Sequence, residues 1–279
     1  MSDFGQTTVA PGVQMAWRID DFTDGWSKPD TVMLLHGIAE TGDAFAGWVP
    51  GLARDFRVLR PDLRGYGASS PLREGEALQI ATLADDIAAL IAALGLARVH
   101  IVGTKLGAQA ALVLAPRQPA WLASLTLAGV LISPGDALGK WMPQWIALVE
   151  RTGVAGWARS TMPGRMGTAL SAEAMEWWVR FMGAAPAETV KACFRMLPAM
   201  GEPAHLERIC CPVQVIASVL AQAPGQFNQR PSAATVQGWQ RRIPNSVLRQ
   251  IETDSYHVAA THPDVCAAMV RAFIKELQP

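Results

Sequence analysis

The sequence predicts an α/β fold, a doubly wound and mostly parallel sheet with helices on both faces and a helical cap inserted late. Three observations carry that reading. Short apolar, β-branched runs alternate with stretches of helical spacing. One of those runs, Val99–Val102, turns sharply through Gly103 into the alanine-rich stretch 105–112. Between residues 132 and 205 the β-like runs stop, and only helical patterns remain.

After an irregular start, Val13–Ile19 alternates as a half-exposed edge strand does, and a turn-rich segment, 20–30, follows. Thr31–Leu35 is continuously apolar, as a parallel strand buried on both faces must be. It ends in the glycine-bearing loop 36–42, before a helical pattern over 44–54. Phe56–Arg60 is the next strand, closing into Pro61-Asp62-Leu63-Arg64-Gly65-Tyr66-Gly67-Ala68-Ser69. Apolar spacings of three and four predict an amphipathic helix over 79–94. Leu125–Val130 is another buried strand.

The next stretch, 132–205, carries helical segments near 139–151, 171–183 and 187–197, with a cluster of Trp, Phe and Met side chains. Such residues build either the core of a small helical subdomain or pliable pocket walls, with Trp141, Trp145 and Trp177 the candidate lining. The sheet resumes at 212–217. A helix near 232–242, the strand Val247–Ile251 and a last helix opening at Pro263 complete the chain. The expected organisation is therefore a core of residues 1–131 and 206–279 with a cap of 132–205.

Composition narrows the function. Half of the 279 residues are hydrophobic, enough for a sizeable core without staples. A formal net charge of zero argues against a nucleic-acid partner or an electrostatically held membrane surface. Apolar runs are cut by charge or proline well short of the roughly 20 residues that span a bilayer. Residues 1–5 show no basic start of a signal peptide. Four cysteines, two of them adjacent, fit no metal spacing and suit a reduced, cytoplasmic protein. The expected partner is a small molecule with an apolar body.

Four landmarks, in order, resemble the α/β-hydrolase superfamily along nearly the whole chain. They are His36-Gly37, the segment Asp62–Ser69, the turn Gly103-Thr104-Lys105-Leu106-Gly107, and His257 before the last helix. In texture the chain is similar to cap-bearing members such as 3-oxoadipate enol-lactonases and carbon–carbon bond hydrolases. The resemblance implies an eight-stranded sheet with the cap after the sixth strand. It also implies a Ser–Asp–His triad, the serine on a strained nucleophile elbow. Carried over, His257 matches the histidine, and the backbone N–H groups of Ile38 and Leu106 match the oxyanion donors. The serine position is Lys105, and the acid position aligns with Ala221. Residues 218–230 hold no acid at all. Asp136 could take the acid's place, whereas Asp254 is expected to face elsewhere.

Serine chemistry is thereby excluded. An acyl group on a lysine is an amide, which hydrolyses far more slowly than an ester, so the enzyme would acylate itself and stop. Three uses of Lys105 remain open. A neutral amine, its pKa lowered by burial and by the helix N-terminus, could form a Schiff base with a ketone. An ammonium could hold a carboxylate or a developing enolate while His257 moves the proton. Alternatively Lys105 only fills the pocket of a non-catalytic protein that binds a ligand or partner. The enzymatic readings point to a cofactor-free hydrolase or lyase acting on a keto acid, lactone or ester. His36 and His100 read as structural, and His205 and His262 have no partner at metal-ligand spacing.

Overall fold

In the computed structural model, which describes residues 2–73, 75–220 and 231–277, eight strands form one sheet. They are β1 (Ser2–Ala10), β2 (Val13–Asp20), β3 (Thr31–Leu35), β4 (Arg57–Pro61), β5 (Val99–Thr104), β6 (Leu122–Ala128), β7 (Val213–Ser218) and β8 (Ser246–Ile251). Their order across the sheet is β1-β2-β4-β3-β5-β6-β7-β8. The β1–β2 and β2–β4 pairs are antiparallel, and every pair from β4–β3 to β7–β8 is parallel. The irregular start of the sequence thus forms a strand. Its outward face is exposed, including Phe4, so few apolar positions betray it.

Among the described residues the ten α-helices are α1 (Val49–Leu52), α2 (Ile80–Ala93), α3 (Lys105–Leu114), α4 (Pro134–Leu138), α5 (Met142–Met166), α6 (Ala172–Gly183), α7 (Ala187–Met196), α8 (Ala233–Gln240), α9 (Val258–Thr261) and α10 (Pro263–Glu276). Alternation along β3 shows why both sheet faces are covered. Met33 and Leu35 join the core beneath α2 and α3, while Val32 and Leu34 join that beneath α1 and α10.

Between β6 and β7 the chain carries only helices, α4 to α7, joined by turns. The helix expected to end near 151 continues to Met166, with a break at Gly153 (φ 71°, ψ 175°). Glycine adopts that backbone without a Cβ penalty, so two helical runs join end to end. Trp145, Trp157 and Phe194 pack edge-to-face or tilted within the cap. They belong to the same apolar cluster as Leu106 and Leu131 of the core. No helix of the described residues is long and apolar enough to cross a membrane.

Candidate active site

The site is built at the carboxyl ends of the central parallel strands, where side chains from β3 and β5 emerge between sheet and cap. β5 passes through Thr104 into α3, and Lys105, the first residue of that helix, has φ 46°. A non-glycine residue in this left-handed region costs on the order of 1–2 kcal/mol. The turn is held closed by small neighbours. A Cβ on Gly107 would stand 2.4 Å from the Leu35 carbonyl oxygen, and Gly107 N–H donates to His36 O at 3.0 Å. The elbow therefore lifts Lys105 off the sheet surface whatever its side chain.

Lys105 meets a carboxylate that the sequence reading did not single out. Glu40, in the loop after β3, is 1% exposed. One of its oxygens, Oε2, accepts from the Gly37 backbone N–H at 3.0 Å. The other, Oε1, accepts from Lys105 Nζ at 3.4 Å and lies 2.8 Å from His257 Nε2. A carboxylate has no proton to give, so a neutral imidazole here carries its hydrogen on Nε2 and donates it to Glu40. In the serine template the equivalent Nε2 faces the nucleophile and the acid sits on Nδ1. Here the nitrogen that would take a serine's proton is bonded to Glu40.

Electrostatics follow from burial. Burial alone would raise the Glu40 carboxyl, but His257, Lys105 and the Gly37 amide outweigh it and hold it well below its ordinary value. His257 is brought down to about 4, first by burial and then by the Lys105 charge, with Glu40 opposing. Burial brings Lys105 down to about 7, with Glu40 opposing and Arg165 reinforcing the fall. Near neutral pH the chain is thus an ionised Glu40 between a neutral imidazole and an amine close to half-protonation.

A cavity of about 60 Å³ opens beside Lys105, its walls mostly apolar. Ile38 and Leu106, the expected oxyanion donors, both border it, and Leu106 occupies the first turn of α3, where amides lack intrahelical acceptors. Of the three candidate pocket tryptophans only Trp145 lines the cavity. Trp141 stands outside its lining, and Trp177 is 47% exposed, stacked on Phe181. Trp178, the neighbour of Trp177, is the one that reaches His257, with ring centroids 5.5 Å apart.

The other expected positions separate cleanly. Asp136 is not bonded to His257; it is exposed in the first turn of α4 and accepts from Ser133 Oγ at 2.5 Å. Asp254 faces the cap, accepting from the Thr168 N–H. Ala221 lies outside the described residues. His36 accepts from Leu63 N–H, His100 pairs with Ser124, and Asp62 and Arg64 brace the turn after β4 through Gly42, Ala68 and Asp86. Among the described residues no group of three or more His, Cys, Asp or Glu could hold a metal.

Glu40 leaves one local trace in the sequence, an acid three residues after Gly37 that can fold back onto its amide. Nothing local announces its reach to His257. Arg165, the second cationic residue of the cavity, was hidden in a Met- and Trp-rich helix whose pattern reads as core.

The comparisons agree with this architecture. The proposed carbamate hydrolase RutD of Caulobacter sp. (strain K31) is 27% identical over 253 residues, covering 89% of this chain and 91% of that protein. Epoxide hydrolase B of Mycobacterium tuberculosis is 32% identical over 129 residues, 42% of this chain and 36% of that one. Among solved structures, the enol-lactonase of Burkholderia xenovorans LB400 superposes with a TM-score of 0.82 at 18% identity, covering 98% of this chain and 100% of that chain. A family profile described as the alpha/beta hydrolase fold matches residues 30–174, and with the strand order and the elbow already in place the chain belongs to the α/β-hydrolase fold family.

Proposed function

We propose that the protein is an enzyme of this fold working without serine chemistry. It acts on a small carbonyl compound with an apolar body (a keto acid, lactone or ester), through Lys105, Glu40 and His257. The observation that carries the proposal is the chain Lys105–Glu40–His257, whose Lys105 end lines an apolar cavity. A lysine poised near neutrality is suited to give or take a proton at working pH. The relatives lend support, because carbamates and enol-lactones, named for two of them, also react at a carbonyl.

In this reading the substrate carbonyl oxygen lies against the backbone N–H groups of Ile38 and Leu106. Charge developing on that oxygen is met by the Lys105 ammonium, which can pass it a proton. Glu40 holds Nζ in place, and His257 fixes Glu40 through the Nε2 hydrogen bond. A covalent variant starts from the neutral amine. Nζ attacks the carbonyl carbon of a ketone, the oxygen leaves as water with two protons, and an imine remains. No cofactor is needed for either.

A second reading is favoured by one specific feature: Glu40 occupies His257 Nε2, so the scaffold can equally be a ligand-binding protein that no longer turns substrate over. The deciding experiment is turnover of β-keto acids, lactones, esters and carbamates by the wild type, Lys105→Met and Glu40→Gln. Borohydride is added to a parallel sample read by mass spectrometry. The enzymatic reading expects kcat to fall by about 10²-fold or more in both variants, the size lost with one transition-state donor. A reduced adduct on Lys105 selects the imine route. Undiminished turnover in Lys105→Met sinks the proposal, and absence of turnover in the wild type favours the binding protein.

A further inference from the structure

Arg165 is buried at the end of α5, 4% exposed, and lines the same cavity as Lys105. Its Nη2 donates to Thr161 Oγ1 at 2.6 Å and its Nε to Thr161 O at 3.4 Å, while Nη1 meets Met182 Sδ at 3.4 Å. The guanidinium lies 4.6 Å from the Trp157 ring centroid. None of these partners is an anion; the Glu40 carboxylate acts on the guanidinium only through space. Thioether sulfur is a weak acceptor, so Nη1 is poorly satisfied. Of the other polar groups of the cavity, Lys105 is engaged with Glu40 and the Gln109 amide nitrogen with Leu131 O.

We infer that Arg165 makes the cavity a carboxylate-binding site, and that the molecule taken there is the anion of a short-chain carboxylic acid. Three physical arguments converge. A buried guanidinium stays charged, brought down only to about 10 by burial with the Glu40 charge opposing, so the cavity carries a cation to which no carboxylate is bonded. The planar fork of a guanidinium matches a carboxylate in geometry. Leu131, Leu138, Phe194 and Leu197 then offer an apolar wall to the acid's chain. A cavity of about 60 Å³ admits only a short chain beside the carboxylate. The inference rests on the cavity's being the reaction site. It narrows the substrate to an acid whose carboxylate Arg165 holds while Lys105 meets its carbonyl.

The test is calorimetric binding of pentanoate, against pentanamide as the uncharged match, to the wild type, Arg165→Gln, Arg165→Lys and Lys105→Met. Thermal unfolding without ligand checks that each variant folds. The wild type is expected to bind pentanoate and discriminate against pentanamide. Arg165→Gln should weaken pentanoate about tenfold or more and abolish the discrimination, the loss of one charge-assisted contact. Arg165→Lys should retain a preference for the acid, and Lys105→Met, whatever its affinity for pentanoate, should still discriminate against pentanamide. Equal affinity for acid and amide overturns the inference. So does Arg165→Gln binding as the wild type does, or an acid preference lost in Lys105→Met but kept in Arg165→Gln. Pentanoate binding by a protein that turns over no carbonyl compound supports the carboxylate site and removes the enzymatic reading. Turnover of lactones with no acid preference does the reverse.

Discussion

Lys105 exchanges its proton at about 7 in the folded protein against an ordinary 10.5, chiefly because burial penalises the ammonium. Between those values the unfolded chain binds more protons at this site than the folded one. Stability therefore rises with pH through the window and is lowest below it. His257, lowered to about 4 from 6.5, has the same sign in a lower window, so its contribution is lost as pH falls from about 6.5 to 4. Glu40 contributes stability above its ordinary value that is lost as acid protonates it. Denaturant unfolding of the wild type and Lys105→Met between pH 7 and 9.5 should show the wild type gaining roughly 3 kcal/mol relative to the variant. Removing the Lys105 charge should also raise the His257 pKa, readable from its imidazole resonances. Parallel pH profiles for the two proteins would show that Lys105 titrates as an exposed lysine does. The sequence disclosed Lys105 and His257 because turn and loop signatures mark their places. Glu40 and Arg165 escaped because a carboxylate's target 217 residues away, and a guanidinium inside an apolar cap, are tertiary facts without a local pattern.

At the scale of elements, the elbow was the most legible part of the chain. β5 is fully buried along its length, α3 is alanine-rich, and the glycines between them are required by distance rather than by flexibility alone. A Cβ on Gly107 would stand 2.4 Å from Leu35 O and 2.6 Å from Leu35 Cβ, both in the packed heart of β3. Backbone cannot rotate away, so Gly107→Ala must push α3 off the strand. The expected cost is about 3 kcal/mol, the upper end for overpacking a core. Gly153→Ala is the contrast: nothing lies within 4 Å of its added Cβ, and only the φ of 71° resists. About 2 kcal/mol is expected there, because φ 71° with ψ 175° is a region essentially reserved for glycine. Thermal or urea midpoints of the two variants check the ranking, and Gly107→Ala at wild-type stability would show that the elbow can breathe. Elements outside the elbow were legible in proportion to their burial. β3, with all five residues buried, reads directly from TVMLL, whereas β1 does not, because its residues are mostly exposed and polar.

At the scale of the molecule, the question is whether the cap is a separate body that opens or a continuation of the core. Texture alone divides the chain near 132 and 205, but packing does not respect that division. Trp145, Trp157, Met162 and Phe194 of the cap share one continuous apolar cluster with Ile101, Leu112 and Leu127 of the sheet. The cap is also sewn to the loop that presents His257. The Arg165 carbonyl accepts from Tyr256 N–H and His257 N–H at 2.9 Å each and from Ser255 Oγ at 3.2 Å. Asp254 takes the Thr168 N–H beside Gly167, where a Cβ would collide with that carboxylate. Lifting the cap away would break those bonds, expose the shared aromatic cluster and leave the His257 backbone unsupported. Cap and core should therefore unfold together. Five tryptophans lie in the cap (Trp141, Trp145, Trp157, Trp177 and Trp178), so fluorescence weights it heavily, while far-ultraviolet dichroism reports the whole chain. The two urea curves should share one midpoint and one slope. An earlier fluorescence transition would make the cap an independent folding unit, and access to Lys105 would then be set by its opening rather than by motions within a closed site.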